Sequence, residues 1–115
     1  MATFSKLALS GSTNGRGIPV VATATAGTLI HTAQSGTAGL DEIWLYATNP
    51  TASAVLLTVE YGGALTADQI RVTIPSQAGL TVVVAGLVIN NALVVRAFAA
   101  TGSAINIHGY VNRIT

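Results

Sequence analysis

Residues Asp41–Thr48 read DEIWLYAT, and their alternation decides the fold class. Ile43, Leu45 and Ala47 point to one side of an extended chain, while Glu42, Trp44, Tyr46 and Thr48 point to the other. A period of two is the pattern of a strand with one face in a core. The turn that follows, Asn49-Pro50-Thr51-Ala52-Ser53, has a mechanism. Proline pre-sets φ, and the flanking Asn and Ser side chains can bond the backbone. Beyond it Ala54–Tyr61 alternates again, with Val55, Leu57, Val59 and Tyr61 on one face and Leu56, Thr58 and Glu60 on the other. Gly62-Gly63 stops it.

The same rhythm runs outward in both directions. Toward the N-terminus lie Thr3–Ser10, the loop GSTNGRG (11–17), Ile18–Thr25 and Thr28–Ala33. Pro19 assigns Ile18–Thr25 to a sheet edge, because proline cannot donate to the ladder. Toward the C-terminus, residues 65–69 suggest a short helical turn capped by Thr66, and Ile70–Ile74 alternates until Pro75. Leu80–Ala100 is almost wholly apolar. As a membrane helix it would carry Asn90-Asn91 near its middle and Arg96, and a central arginine costs about 2.5–3.5 kcal/mol on insertion scales. Its Val and Ile favour strands. The expectation is therefore two buried strands joined as a tight hairpin, Leu87–Phe98, with Asn90-Asn91 at the turn. A final strand, Ala104–Arg113, sets Ile105, Ile107 and Val111 against Asn106, His108, Tyr110 and Asn112. Turn signals at about 8–12-residue spacing predict an all-β antiparallel sandwich or barrel of about eight or nine strands.

Composition bounds the rest. The 115 residues suit one domain, 1–115. Half are hydrophobic and only 8% are charged, against about 25% in an average domain. Such a chain is not disordered. A net charge of +1 provides no footprint for nucleic acid or an anionic membrane. Cysteine is absent, which excludes disulfides and thiolate metal sites. Met1–Leu9 has one lysine and an apolar run shorter than the roughly 7–15 residues of a signal peptide, so synthesis without export by that route is expected. With so few charges, much of the exterior must be Ala, Val, Thr and Gly, and exposed apolar surface of that extent marks an interface. A homo-oligomer is expected.

Chemistry-bearing residues are sparse. His31 and His108 lack the local spacing of a metal pair, and each reads as a strand histidine bonded to a neighbour or solvent. No G-x-S-x-G elbow is present. Gly11–Gly17 does not end in the Gly-Lys-Ser/Thr of a phosphate loop. Asp41 and Glu42 read as a solvated strand start. Arg96, if buried, needs a partner such as Glu60. No catalytic residue, metal site or cofactor is expected. Phe4, Trp44, Tyr46, Tyr61, Arg96, Phe98 and Tyr110 are the candidate interface residues. Trp44 and Tyr46 would also suit a non-catalytic carbohydrate-binding module.

Four segments, GTLIHTA (27–33), EIWLYATN (42–49), LTVEYGG (57–63) and GYVNRI (109–114), resemble small virion proteins of tailed bacteriophages. The resemblance implies a capsid decoration (cement) protein. That would be a jelly-roll-like β-sandwich, commonly trimeric, bound to the major capsid protein on the outside of the head. Met1–Gly17 is then the candidate capsid-binding arm. A neck, tail or head-fibre component is the alternative within the same class.

Overall fold

A computed structural model describes residues 2–115. Nine strands follow in order: β1 Phe4–Ala8, β2 Ile18–Pro19, β3 Thr28–Thr32, β4 Leu40–Thr48, β5 Val55–Tyr61, β6 Gln69–Ile74, β7 Thr81–Ile89, β8 Val94–Ala99 and β9 Asn106–Ile114. A 3-10 turn, Thr66–Asp68, precedes β6. Leu65 stands at its N-cap position rather than Thr66, and the Asp68 carboxylate accepts the Leu65 N–H at 3.2 Å.

Two antiparallel sheets form. The first has the order β1-β9-β4-β7, with β2 also beside β9; the second has the order β3-β8-β5-β6. The pairings are nested: β1 and β2 with β9, β3 with β8, β4 with β7, and β5 with β6. The chain is thus one long hairpin with its tip at β5–β6, and successive rungs fall alternately in one sheet and the other. Pairing of β9 with β4 and of β8 with β5 completes each sheet. This is a jelly-roll sandwich.

Between the sheets lies an aliphatic core. Ile43, Leu45 and Ala47 of β4, Leu57 and Val59 of β5, Val95, Ala97 and Ala99 of β8, and Ile107 and Val111 of β9 are all fully buried. The inward sets read from β4 and β9 are the observed ones. None of the aromatic side chains is among these buried residues.

Three expectations need correcting. Residues 87–98 do not form a hairpin: β7 pairs with β4 in the first sheet and β8 with β3 and β5 in the second. The left-handed positions are Asn91 (φ 59°) and Ala92 (φ 57°), and this corner bonds the loop before β4 through Asn91 N–H to Gly36 O and Ala92 N–H to Gln34 O, both 2.9 Å. β7 is also only partly buried: Val84 and Ile89 join the core, while the rest of this edge strand is half-buried or exposed. The strand expected over Ile18–Thr25 is only Ile18–Pro19, at an edge as Pro19 required. After it the chain crosses from one sheet to the other. The strand expected over Thr3–Ser10 is β1, paired with β9, and Leu9 beyond it belongs to the core.

Candidate functional site

The register of β4 against β9 builds one outward face. Glu42 lies opposite Asn112, Trp44 opposite Tyr110, and Tyr46 opposite His108. Close approach of the two strands depends on Gly109, opposite Leu45, where a Cβ would collide with the Trp44 carbonyl oxygen. The Trp44 and Tyr110 rings are nearly parallel, at 12°, with centroids 6.1 Å apart. From β1, the Lys6 ammonium sits 4.7 Å from the Tyr110 ring centre, in cation–π contact. On the other side, Gly86 of β7 adopts φ +81° at a bulge, and a Cβ there would press the Trp44 ring at 3.0 Å.

Polar groups lock this platform. Trp44 Nε1 donates to Glu42 Oε1 at 2.6 Å, and Asn112 Nδ2 donates to the same oxygen at 3.0 Å. The Trp44 bond, followed by that of Asn112, holds the Glu42 carboxyl below its ordinary range. Burial, and then the neighbouring Tyr110, push the Tyr46 phenol up. A depression of about 320 Å³ adjoins the platform, lined by Phe4, Ser5, Lys6, Glu42, Asn112 and Ile114. Phe4 is 73% exposed. A flat aromatic patch with hydrogen-bonding side chains at its margin suits contact with another protein surface. It suits sugar stacking less well, because Lys6 covers one face of Tyr110 and Gly86 abuts Trp44.

The structure brings Phe4, Trp44, Tyr46 and Tyr110 to this sheet and separates the other candidates from them. Arg96 and Phe98 lie half-buried on β8, in the opposite sheet. Tyr61 packs against the core, and its hydroxyl donates to the Leu87 carbonyl of β7 at 2.9 Å. Burial, with a smaller contribution from the charge of Asp41, pushes its phenol far up. Glu60 and Arg96 are register partners but form no ion pair among the described residues. The buried Glu60 carboxylate instead accepts from Gly27 N–H at 2.7 Å and Thr25 Oγ1 at 2.8 Å, while Arg96 Nη1 donates to Gly27 O at 3.4 Å. Both charged side chains therefore anchor the crossover before β3.

A second cluster has no counterpart in the sequence analysis. Asp41, read as a solvated strand start, is fully buried. Its carboxylate accepts from Arg113 Nε at 2.8 Å and Nη2 at 2.9 Å, from His31 Nε2 at 2.8 Å, and from the Gln34 N–H at 3.2 Å. His31 Nδ1 accepts the Ser10 N–H at 3.0 Å. An N–H can only donate, so Nδ1 carries no proton and the Nε2–H tautomer faces Asp41. Both ring nitrogens are occupied, which leaves neither free to take a proton from a nucleophile. Burial alone would raise the Asp41 carboxyl; the hydrogen bonds from Arg113 and His31 and the charge of Arg113 outweigh it and hold it low. The bond to Asp41 in turn raises Arg113. The cluster staples β3 of one sheet to β4 and β9 of the other. No local motif announces it, because its members are far apart in sequence and meet only through strand register.

Comparison with protein-family models, curated proteins and solved structures returned no significant match. No helix among the described residues is long and apolar enough to cross a membrane.

Proposed function

We propose that this chain is a non-catalytic structural protein of a bacteriophage virion, a decoration (cement) subunit that binds the outside of the capsid as a homo-oligomer. The observation that carries the reading is the placement of the aromatics. Trp44, Tyr46 and Tyr110 stand together on the outer face of one sheet while the core is wholly aliphatic. Large aromatic side chains contribute most when buried. Clustered on a solvent-facing sheet and locked in place by Glu42, Asn112 and Lys6, they have the character of interface anchors. The jelly-roll topology and the resemblance of four segments to phage virion proteins support the same reading.

The mechanism is linkage. A protein that binds the assembled shell and not its free subunits stabilises the shell in proportion to its occupancy. Several copies held in one oligomer bind with added avidity. Cosedimentation of the purified protein with mature heads of the phage that encodes it tests this. The wild type is expected to pellet with heads, and Trp44→Ala to bind at least tenfold more weakly while keeping its far-UV circular dichroism. Absence of the protein from purified particles would overturn the assignment.

A further inference from the structure

Ser10 and Gly11 lie on the free edge of β3, and a histidine helps to hold them there. β3 ends the second sheet, with β8 on one side and no strand on the other among the described residues. Edge groups without partners invite a passing strand, and here the chain leaving β1 covers them. Gly11 N–H donates to Ile30 O at 2.9 Å, Thr32 N–H to Ser10 Oγ at 2.7 Å, and Ser10 N–H to His31 Nδ1 at 3.0 Å. The approach is so close that a Cβ on Gly11 would strike the carbonyl oxygens of Leu29 and Ile30. Leu9 before this segment is buried in the core, and Ile18 after it is buried and paired with β9. Ser10–Gly17 is therefore a loop with two fixed ends and a seat on β3.

Nδ1 of His31 can accept the Ser10 N–H only while it carries no proton. Nε2 already carries one, donates it to Asp41, and would do the same from a charged ring. A second proton on the ring thus sets two N–H donors against each other at Ser10 and leaves the Asp41 side intact. We propose that His31 is a proton-operated latch, which seats the Ser10–Gly17 loop on β3 while its ring is neutral and releases it when Nδ1 takes a proton. His31 is buried but Ser10 is exposed, so the proton has a short path from solvent and the freed N–H finds water. The charges around the ring are few. The Asp41 carboxylate of β4 attracts a charged ring, and Arg113 of β9, bonded to the same carboxylate, opposes it. Gln34 adds only neutral donors to Asp41. β8 places Val95 opposite His31, while its Arg96 turns to Gly27. Tyr61 of β5 stays a neutral phenol. The seated loop requires the neutral ring and the released loop accepts either form, so seating is lost as pH falls. Release uncovers the Ile30 carbonyl and the Thr32 N–H at a sheet edge. The sandwich itself holds, because Asp41 keeps all its donors. This device lies apart from the aromatic platform and stands independently of the capsid reading.

Solution NMR on the intact chain tests it. At about pH 8 the His31 ring is expected as the Nε2–H tautomer in long-range proton–nitrogen correlations. On acidification toward about pH 5, the Gly11 and Thr32 amides are expected to lose protection from exchange by about tenfold or more, in step with proton uptake at His31. The paired amides of β4 and β9 keep theirs. His108, whose ring lies against Gly17 at the far end of the loop, is the competing trigger. His108→Gln is expected to leave the release unchanged. His31→Asn retains an acceptor for the Ser10 N–H but takes no proton, and is expected to keep the loop seated throughout. Should that variant fail to fold, the wild type and His108→Gln decide the matter between them. A ring protonated at Nδ1 at the higher pH overturns the proposal, as does the absence of proton uptake at His31 over this range. So do loop amides indifferent to that uptake, a response abolished by His108→Gln, or loss of loop and sandwich protection together.

Discussion

Asp41 shows what a single side chain does here. It is a buried carboxylate in a chain with only four acidic residues, and it ties His31 and Arg113 across the sandwich. Removing it leaves His31 Nε2 buried without a partner and the half-buried Arg113 guanidinium without its carboxylate, so Asp41→Ala is expected to cost about 3 kcal/mol. Thermal unfolding at neutral pH measures it. The pH dependence has a definite sign. The carboxyl is held below its ordinary value of about 4, so the folded state binds its proton less readily than the unfolded chain does. Its contribution is complete above that ordinary value and is lost as pH falls through the lower folded value. Wild-type Tm should therefore fall more steeply in acid than that of Asp41→Ala, and parallel acid slopes would refute this role. Asn49 was legible where Asp41 was not. Its Oδ1 accepts from Thr51 N–H at 3.0 Å, inside the turn read from the sequence, and its Nδ2 also reaches Ile74 O at 3.0 Å. A turn is local and its chemistry is written in adjacent residues; a buried ion cluster depends on register.

Among the elements, the β4–β9 pair positions the platform, and Gly109 sets how closely the strands lie. A methyl group there would meet backbone, which cannot rotate aside as a side chain can. Gly109→Ala is expected to lower stability by about 2–4 kcal/mol, within the range of backbone and overpacking defects, and to disturb the Trp44–Tyr110 contact. Near-UV circular dichroism alongside thermal melting reads both effects, and an unchanged melt would refute the close-approach argument. Alternation on β4, β5 and β9 was visible in the sequence, because one face of each meets an aliphatic core. The crossing between β7 and β8 was not. Asn90-Asn91 marks a change of direction, but a tight turn in one sheet and a corner between two sheets use similar left-handed residues. Which sheet receives β8 depends on β3 and β5, far away in the chain.

For the whole molecule, nesting has a kinetic consequence. The first strand pairs with the last, and only β5–β6 is a local hairpin. Loop closure must precede most of the stabilising contacts, which places folding of such topologies in milliseconds to seconds rather than microseconds. Stopped-flow refolding followed by the fluorescence of Trp44, the sole tryptophan, is expected to show its main phase in that range. A microsecond main phase would contradict the nested pairing.

The amino-acid sequence by itself determined an all-β class, the inward faces of the central strands, the chemistry of the Asn49–Ser53 turn, and an exterior poor in charge. Each of these follows from period, turn residue or composition, which are properties of neighbours along the chain. Tertiary structure alone decided that Trp44, Tyr46 and Tyr110 form one face while Arg96 and Phe98 lie on another sheet. It also decided that Asp41 is buried, that Glu60 holds a loop instead of Arg96, and that β7 lies at an open edge. These depend on which strands become neighbours, and in a jelly roll neighbours in space are mostly strangers in sequence.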